Sequence, residues 1–226
     1  MPKHLNAQAH HPGDGAQRRR VLLYGCSLTT QYGAALAEHL ERLVAVDVWM
    51  CGLCGRTAAE LARMADQPVI QDEADRVGKG INAIFSEEGA FDIVLIMAGT
   101  NDLGMGYESE AVIENVKKLH QMCHEHGVST VVLSLPSNVA CERSSDYKEK
   151  WLRVNEALRE WSSGVGACES VALCVDTSAL VPLDEEGHFY SCDRLHFSVD
   201  GAERFGSELA PLLAPLLSVG VGATSA

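Results

Sequence analysis

The chain has 226 residues, 46% of them hydrophobic and 22% charged, enough for one well-buried α/β domain and too few for two generous ones. Its 18 basic residues against 31 acidic ones leave a formal charge of −13, which argues against a nucleic-acid partner and against stable docking on anionic lipid. The expected partner is a neutral or cationic small molecule. Eight cysteines are not needed to staple a chain with a full core, and several fall in apolar strands, so reduced thiols are expected.

Residues 1–19 carry Gly, Pro, His and Gln without periodicity and read as a disordered N-terminal tail. They lack the apolar stretch of a secretion signal, and no later run is long enough to span a membrane. The reading is cytoplasmic, with Arg18-Arg19-Arg20 leaving room for an organelle address. The folded domain is expected over 20–217, followed by a flexible tail over 218–226. Val21 to Gly25 reads as a buried strand that stops abruptly before Ser27. After a loop, Ala34 to Leu43 have helical spacing, and Val44 to Met50 form the second strand. Thr57 with Glu60 three residues on is a capping-box pattern that opens a helix. A further amphipathic helix is expected over Asp72 to Phe85. Phe91 to Ala98 is a nearly unbroken apolar run, a central strand buried on both faces.

Glu108 to His126 reads as a long helix stopped at Gly127, Val128 to Leu135 as the fourth strand, and Pro136 to Tyr147 as a polar loop. A helix over Lys148 to Trp161, a fifth strand over Val171 to Asp176 and a last helix over Ala202 to Leu217 complete the chain. Alternating strands and helices predict a three-layer α/β/α sandwich on a flavodoxin-like parallel sheet of about five strands. In such a sheet ligands bind at the carboxyl edge, where Ser27 falls.

A serine hydroxyl is a weak nucleophile alone and needs a base, an orienting acid and oxyanion donors. Asp193-Arg-Leu-His196 places a carboxylate and an imidazole three residues apart, so Asp193 can fix one ring nitrogen and leave the other as a base. Taken alone, Gly99-Thr-Asn101-Asp102 reads as a turn before it reads as an oxyanion donor, and Gly55 has the same ambiguity between a strand-to-helix loop and an exposed backbone N–H.

Taken in order, Gly25-Cys26-Ser27-Leu28, Gly55, Gly99-Thr-Asn101-Asp102 and Asp193-Arg-Leu-His196 resemble the four blocks of the SGNH hydrolases, the GDSL-like esterase superfamily, over about Val21 to Leu217. The resemblance implies Ser27 as nucleophile, His196 as general base and Asp193 as its orienting acid. It implies an oxyanion hole from the N–H groups of Ser27 and Gly55 and the side chain of Asn101, with no cofactor and no metal. Cys26 departs from the pattern, which usually has Asp there. From position alone, Leu28, Thr29, the Leu103 to Tyr107 loop, the Pro136 to Tyr147 loop and Phe197 are expected to shape the pocket.

The expected activity is hydrolysis of a small carboxylic ester through an acyl-serine intermediate, with acyl transfer to an alcohol as an extension. A carbohydrate O-deacetylase with the same machinery and a silent binding protein on this fold are the alternatives. Cys51 and Cys54 form a Cys-x-x-Cys, but the second block already explains that loop. His120, Cys123, His124 and His126 cluster near a helix end, where cations suit the helix dipole. Cys26 is either a reactive thiol beside the nucleophile or a small buried filler.

Overall fold

The computed structural model describes residues 3–4, 18–183 and 187–218. Five long strands form one parallel sheet: β2 (Arg19–Gly25), β3 (Val46–Gly52), β6 (Ile93–Met97), β7 (Ser129–Leu133) and β8 (Val171–Val175). A two-residue strand, β1 (Lys3–His4), pairs with Trp49 and Met50 at one edge, giving the order β1-β3-β2-β6-β7-β8. The five long strands thus follow the flavodoxin-like order second, first, third, fourth, fifth. Residues 5–17 and 219–226 of the expected tails lie outside the described residues, as do Met1 and Pro2.

Strand residues alternate between two cores, as the period of two requires. Leu22, Tyr24, Val94 and Ile96 face one side, which is covered by α2 (Ala58–Arg63), α3 (Ile81–Glu88), α5 (Ser109–Glu125) and α7 (Ser145–Ser163). Val21, Leu23, Ile93 and Leu95 face the other, which is covered by α1 (Ser27–Glu41) and α9 (Val199–Ser218). Strand β6 is buried throughout. Three short helices, α4 (Thr100–Gly104), α6 (Val139–Arg143) and α8 (Thr177–Leu180), lie just beyond strand ends.

Three expected elements differ. Helix α1 begins at Ser27 itself, without the loop expected before Ala34, because Leu28, Tyr32, Leu36 and Leu40 already form an i, i+4 row that is buried. Residues Asp72 to Phe85 are not one helix. The Asp72 carboxylate accepts backbone N–H bonds from Ala74 and Arg76 and closes a turn between β4 (Ile70–Gln71) and β5 (Val77–Gly78), and only Ile81–Glu88 is helical. The Pro136 to Tyr147 segment carries α6 and the first turn of α7, each with a side-chain cap, Asn138 and Ser144.

The three arginines that open the fold are tied into it. Arg18 pairs with Asp47, Arg19 with Asp92, and the Arg20 guanidinium lies over Trp49 and Phe91. Among the described residues no helix is long and apolar enough to cross a membrane.

Candidate active site

Ser27 is the first residue of α1, directly past the carboxyl end of β2, so its N–H belongs to the helix-start set that has no intrahelical acceptor. Its Oγ lies 2.9 Å from His196 Nε2, and His196 Nδ1 lies 2.7 Å from Asp193 Oδ2. The other Asp193 oxygen accepts the N–H groups of Leu195 and His196 at 3.0 Å each. Burial acts to raise the Asp193 pKa, but these hydrogen bonds and the neighbouring imidazole outweigh it and hold the carboxyl below its ordinary value. An ionised carboxylate only accepts, so Nδ1 carries the ring proton and Nε2 is left to accept from the Ser27 hydroxyl. The loop is fixed from α1 as well, since Phe197 N–H donates to Gln31 Oε1 at 2.9 Å.

The second and third blocks are bolted to each other. Asn101 Nδ2 donates to the Arg56 carbonyl at 2.9 Å. The fully buried Asp102 carboxylate accepts the N–H groups of Ala58 (2.7 Å) and Ala59 (3.3 Å) at the start of α2. Burial outweighs these bonds and raises the Asp102 pKa. Thr57 and Glu60 form the expected capping box. Two residues before Thr57, Gly55 adopts φ 73°, a backbone region that side chains disfavour. A cavity of about 340 Å³ is lined by Gly55 and Asn101 and reaches Asp193 and Leu195; Val139 and Tyr147 are part of its wall. A larger one of about 620 Å³ lies between α7 and β8, around Trp151, Arg159 and Leu173, and includes none of these groups.

The chain was compared with known proteins. The model of the GDSL-like Lipase/Acylhydrolase family matches residues 14–204. The chain belongs to this family. A search among curated proteins returned no match. Among solved structures, a lipase/acylhydrolase from Enterococcus faecalis superposes with a TM-score of 0.66 at 18% identity, over 88% of this chain and 97% of that one. A GDSL-like lipase from Bacteroides thetaiotaomicron gives 0.64 at 14% identity over 88% and 89%. The psychrotrophic esterase EstA from Pseudoalteromonas sp., inhibited by monoethylphosphonate, gives 0.63 at 14% identity over 89% and 100%. At these identities the structures establish the shared fold.

In this GDSL-like hydrolase Ser27, Gly55, Asn101, Asp193 and His196 gather at one rim of the sheet. Of the positions expected to shape the pocket, five do not line the 340 Å³ cavity: Leu28, Thr29, Leu103 and Phe197 are buried, and Tyr107 is exposed after α4. Leu28 and Thr29 are on the inward face of α1, Leu103 is buried in α4, and Phe197 packs against Tyr190 and Phe205. The wall comes from Met105 in the expected 103–107 loop, from Asn138, Val139, Ala140 and Tyr147 in the expected 136–147 loop, and from Glu73. Of these, the loop signal over 136–147 was legible, whereas Glu73 was hidden in a misassigned helix.

Cys26 is the N-cap of α1 and makes no side-chain cap bond; it is 1% exposed, and burial pushes its pKa up to about 11. Those are the properties of a filler, not of a reactive thiol. Cys51 is likewise buried, with its thiol pushed up to about 11, and it donates to the Lys79 carbonyl. On α5, His120 and His124 both bond Thr130 Oγ1, at 2.8 and 2.9 Å.

Proposed function

We propose that the chain is a serine ester hydrolase acting through an acyl-serine intermediate on a small carboxylic ester. The observation that carries this reading is the unbroken Ser27–His196–Asp193 hydrogen-bond relay, 2.9 and 2.7 Å in its two links.

In this mechanism Ser27 Oγ attacks the ester carbonyl as its proton passes to His196 Nε2. Asp193 holds the ring and stabilises the imidazolium. The carbonyl oxygen becomes an oxyanion beside the N–H groups of Ser27 and Gly55 and the free amide hydrogen of Asn101, at the positive end of α1. Collapse expels the alkoxide, which takes the proton from His196, and leaves the acyl group on Ser27. Water then gives a proton to His196 and attacks the acyl carbon, the acid departs and Ser27 regains its hydrogen. An alcohol entering in place of water would carry the acyl group away instead. The cavity is at the small end of the usual ligand range of about 300–1,000 Å³ and has Val139, Ala140, Met105 and Leu195 in its wall, which favours a short apolar arm.

The test is hydrolysis of p-nitrophenyl esters of increasing acyl length by wild type and Ser27→Ala, with folding of the variant checked by circular dichroism. Activity lost in the variant, together with a phosphonate adduct found on Ser27 by peptide mass spectrometry, is the expected result. Equal rates for the two proteins would refute the mechanism.

A further inference from the structure

We propose that the pocket is built for an ester bearing a positively charged ammonium group, which the carboxylate of Glu73 receives. The proposal rests on the serine-ester reading above and narrows its substrate class.

Glu73 is held in place by its backbone, on the turn between β4 and β5. Its N–H donates to the Cys54 carbonyl at 3.2 Å, and the Cys54 N–H donates to the Asp72 carboxylate at 2.9 Å. Asp72 also accepts from the N–H groups of Ala74 and Arg76 and from Arg76 Nε, and its side chain is fully buried. The hairpin is thereby clamped onto Cys54, the residue before Gly55. The result is that a Cβ built on Gly55 would stand only 2.1 Å from Glu73 Oε2. The carboxylate thus lies against the Cα of Gly55, whose N–H is a proposed oxyanion donor.

The charges around it do not neutralise it. Glu73 and Asp193 are the only charged side chains among the residues that line the cavity. Asp193 is engaged by His196 and two backbone N–H groups. The nearby arginines have other partners: Arg76 pairs with Asp72, and Arg56 with Glu60 and the Gln71 carbonyl. A lone carboxylate beside a forming oxyanion opposes it. A substrate cation seated against Glu73 turns that repulsion into a neutral pair. The Tyr147 ring and the Met105 thioether in the same wall provide the polarisable surface that suits a quaternary ammonium. The same arrangement rejects anionic esters.

The experiment compares kcat/KM for matched esters in which a trimethylammonium group is replaced by tert-butyl. In one pair the charge sits in the alcohol, in the other in the acyl group. For at least one pair, wild type should prefer the cation by about tenfold, the size of one partly exposed ionic contact reinforced by an aromatic face. Glu73→Gln should bring that ratio close to one, lowering the rate on the cationic ester and raising it on the neutral one. In wild type, raising the ionic strength to about 1 M should shrink the same ratio. A wild-type ratio near one in both pairs, or a preference that survives Glu73→Gln, overturns the proposal while Ser27-dependent hydrolysis of p-nitrophenyl esters keeps the serine mechanism standing. Absence of that hydrolysis and of a phosphonate adduct on Ser27 overturns both.

Discussion

Asn101 has two amide hydrogens, and the Arg56 carbonyl takes one of them. That bond sets the rotamer and leaves the second hydrogen for the proposed oxyanion hole. Asn101→Ala should lower kcat on a p-nitrophenyl ester by about 10²–10³-fold, the usual cost of one such donor. A kcat within threefold of wild type in a folded variant would remove Asn101 from the proposed oxyanion hole. The thiols give a second test at this scale. Cys26 is next to the nucleophile but buried, with its pKa raised to about 11, whereas Cys192, next to Asp193, is exposed. Iodoacetamide applied to the native protein should therefore label Cys192 well before Cys26, as read by peptide mass spectrometry. Rapid labelling of Cys26 would contradict the packing described here.

At the scale of elements, the relay depends on how closely α1 and α9 pack, because Ser27 opens the first and the His196 loop leads into the second. The close approach is at Gly206, where an added Cβ would stand 2.6 Å from Leu36 N and 2.7 Å from the Ala35 carbonyl carbon. These are backbone atoms, so the helices must separate to admit a methyl group. Gly206→Ala should cost about 1–3 kcal/mol in urea unfolding, and kcat should fall with it as Ser27 and His196 are drawn apart. Stability lost with kcat untouched would show that the relay tolerates the shift. The elements themselves were unevenly legible. The unbroken apolar run of β6 and the capping box at Thr57 are local signals that tertiary contacts only reinforced. The start of α1 was obscured by Thr29, Thr30 and Gly33, weak helix formers whose cost is covered by the buried row from Leu28 to Leu40. The hairpin carrying Glu73 has a local turn, closed by Asp72 on Ala74 and Arg76, that the helical pattern over 72–85 masked, and its anchor, the bond from Cys54 18 residues earlier, leaves no local signal.

Across the whole molecule, the order of the four blocks was legible, and the pocket wall was legible as the loops at 103–107 and 136–147 but not as the hairpin that adds Glu73. Block residues meet through strand ends that the fold class already dictates, while the wall is made where separate loops happen to converge. The side of the molecule away from the site holds a group expected to make stability depend on acid. His120 is fully buried between Thr130, Trp161 and His124, and burial, with a smaller contribution from His124, lowers its pKa from 6.5 to about 3. Between those values the unfolded chain binds a proton there and the native chain does not. Stability contributed by this site is therefore complete above about pH 6.5 and is lost as pH falls, by at most about 1.4 kcal/mol per unit. His120→Asn removes the titration, so the gap between wild type and variant in urea midpoint should narrow from pH 7 to pH 5. A gap independent of pH would exclude His120 as a source of the acid sensitivity.

The hydrogen bond between Ser27 and His196 joins positions 169 residues apart. On a ribosome, the proposed base emerges long after the proposed nucleophile, so a growing chain can complete most of its sheet while remaining chemically inert. Acquisition of activity then becomes a marker for the arrival of α9, and a phosphonate added during refolding would time that final docking step rather than the collapse of the core.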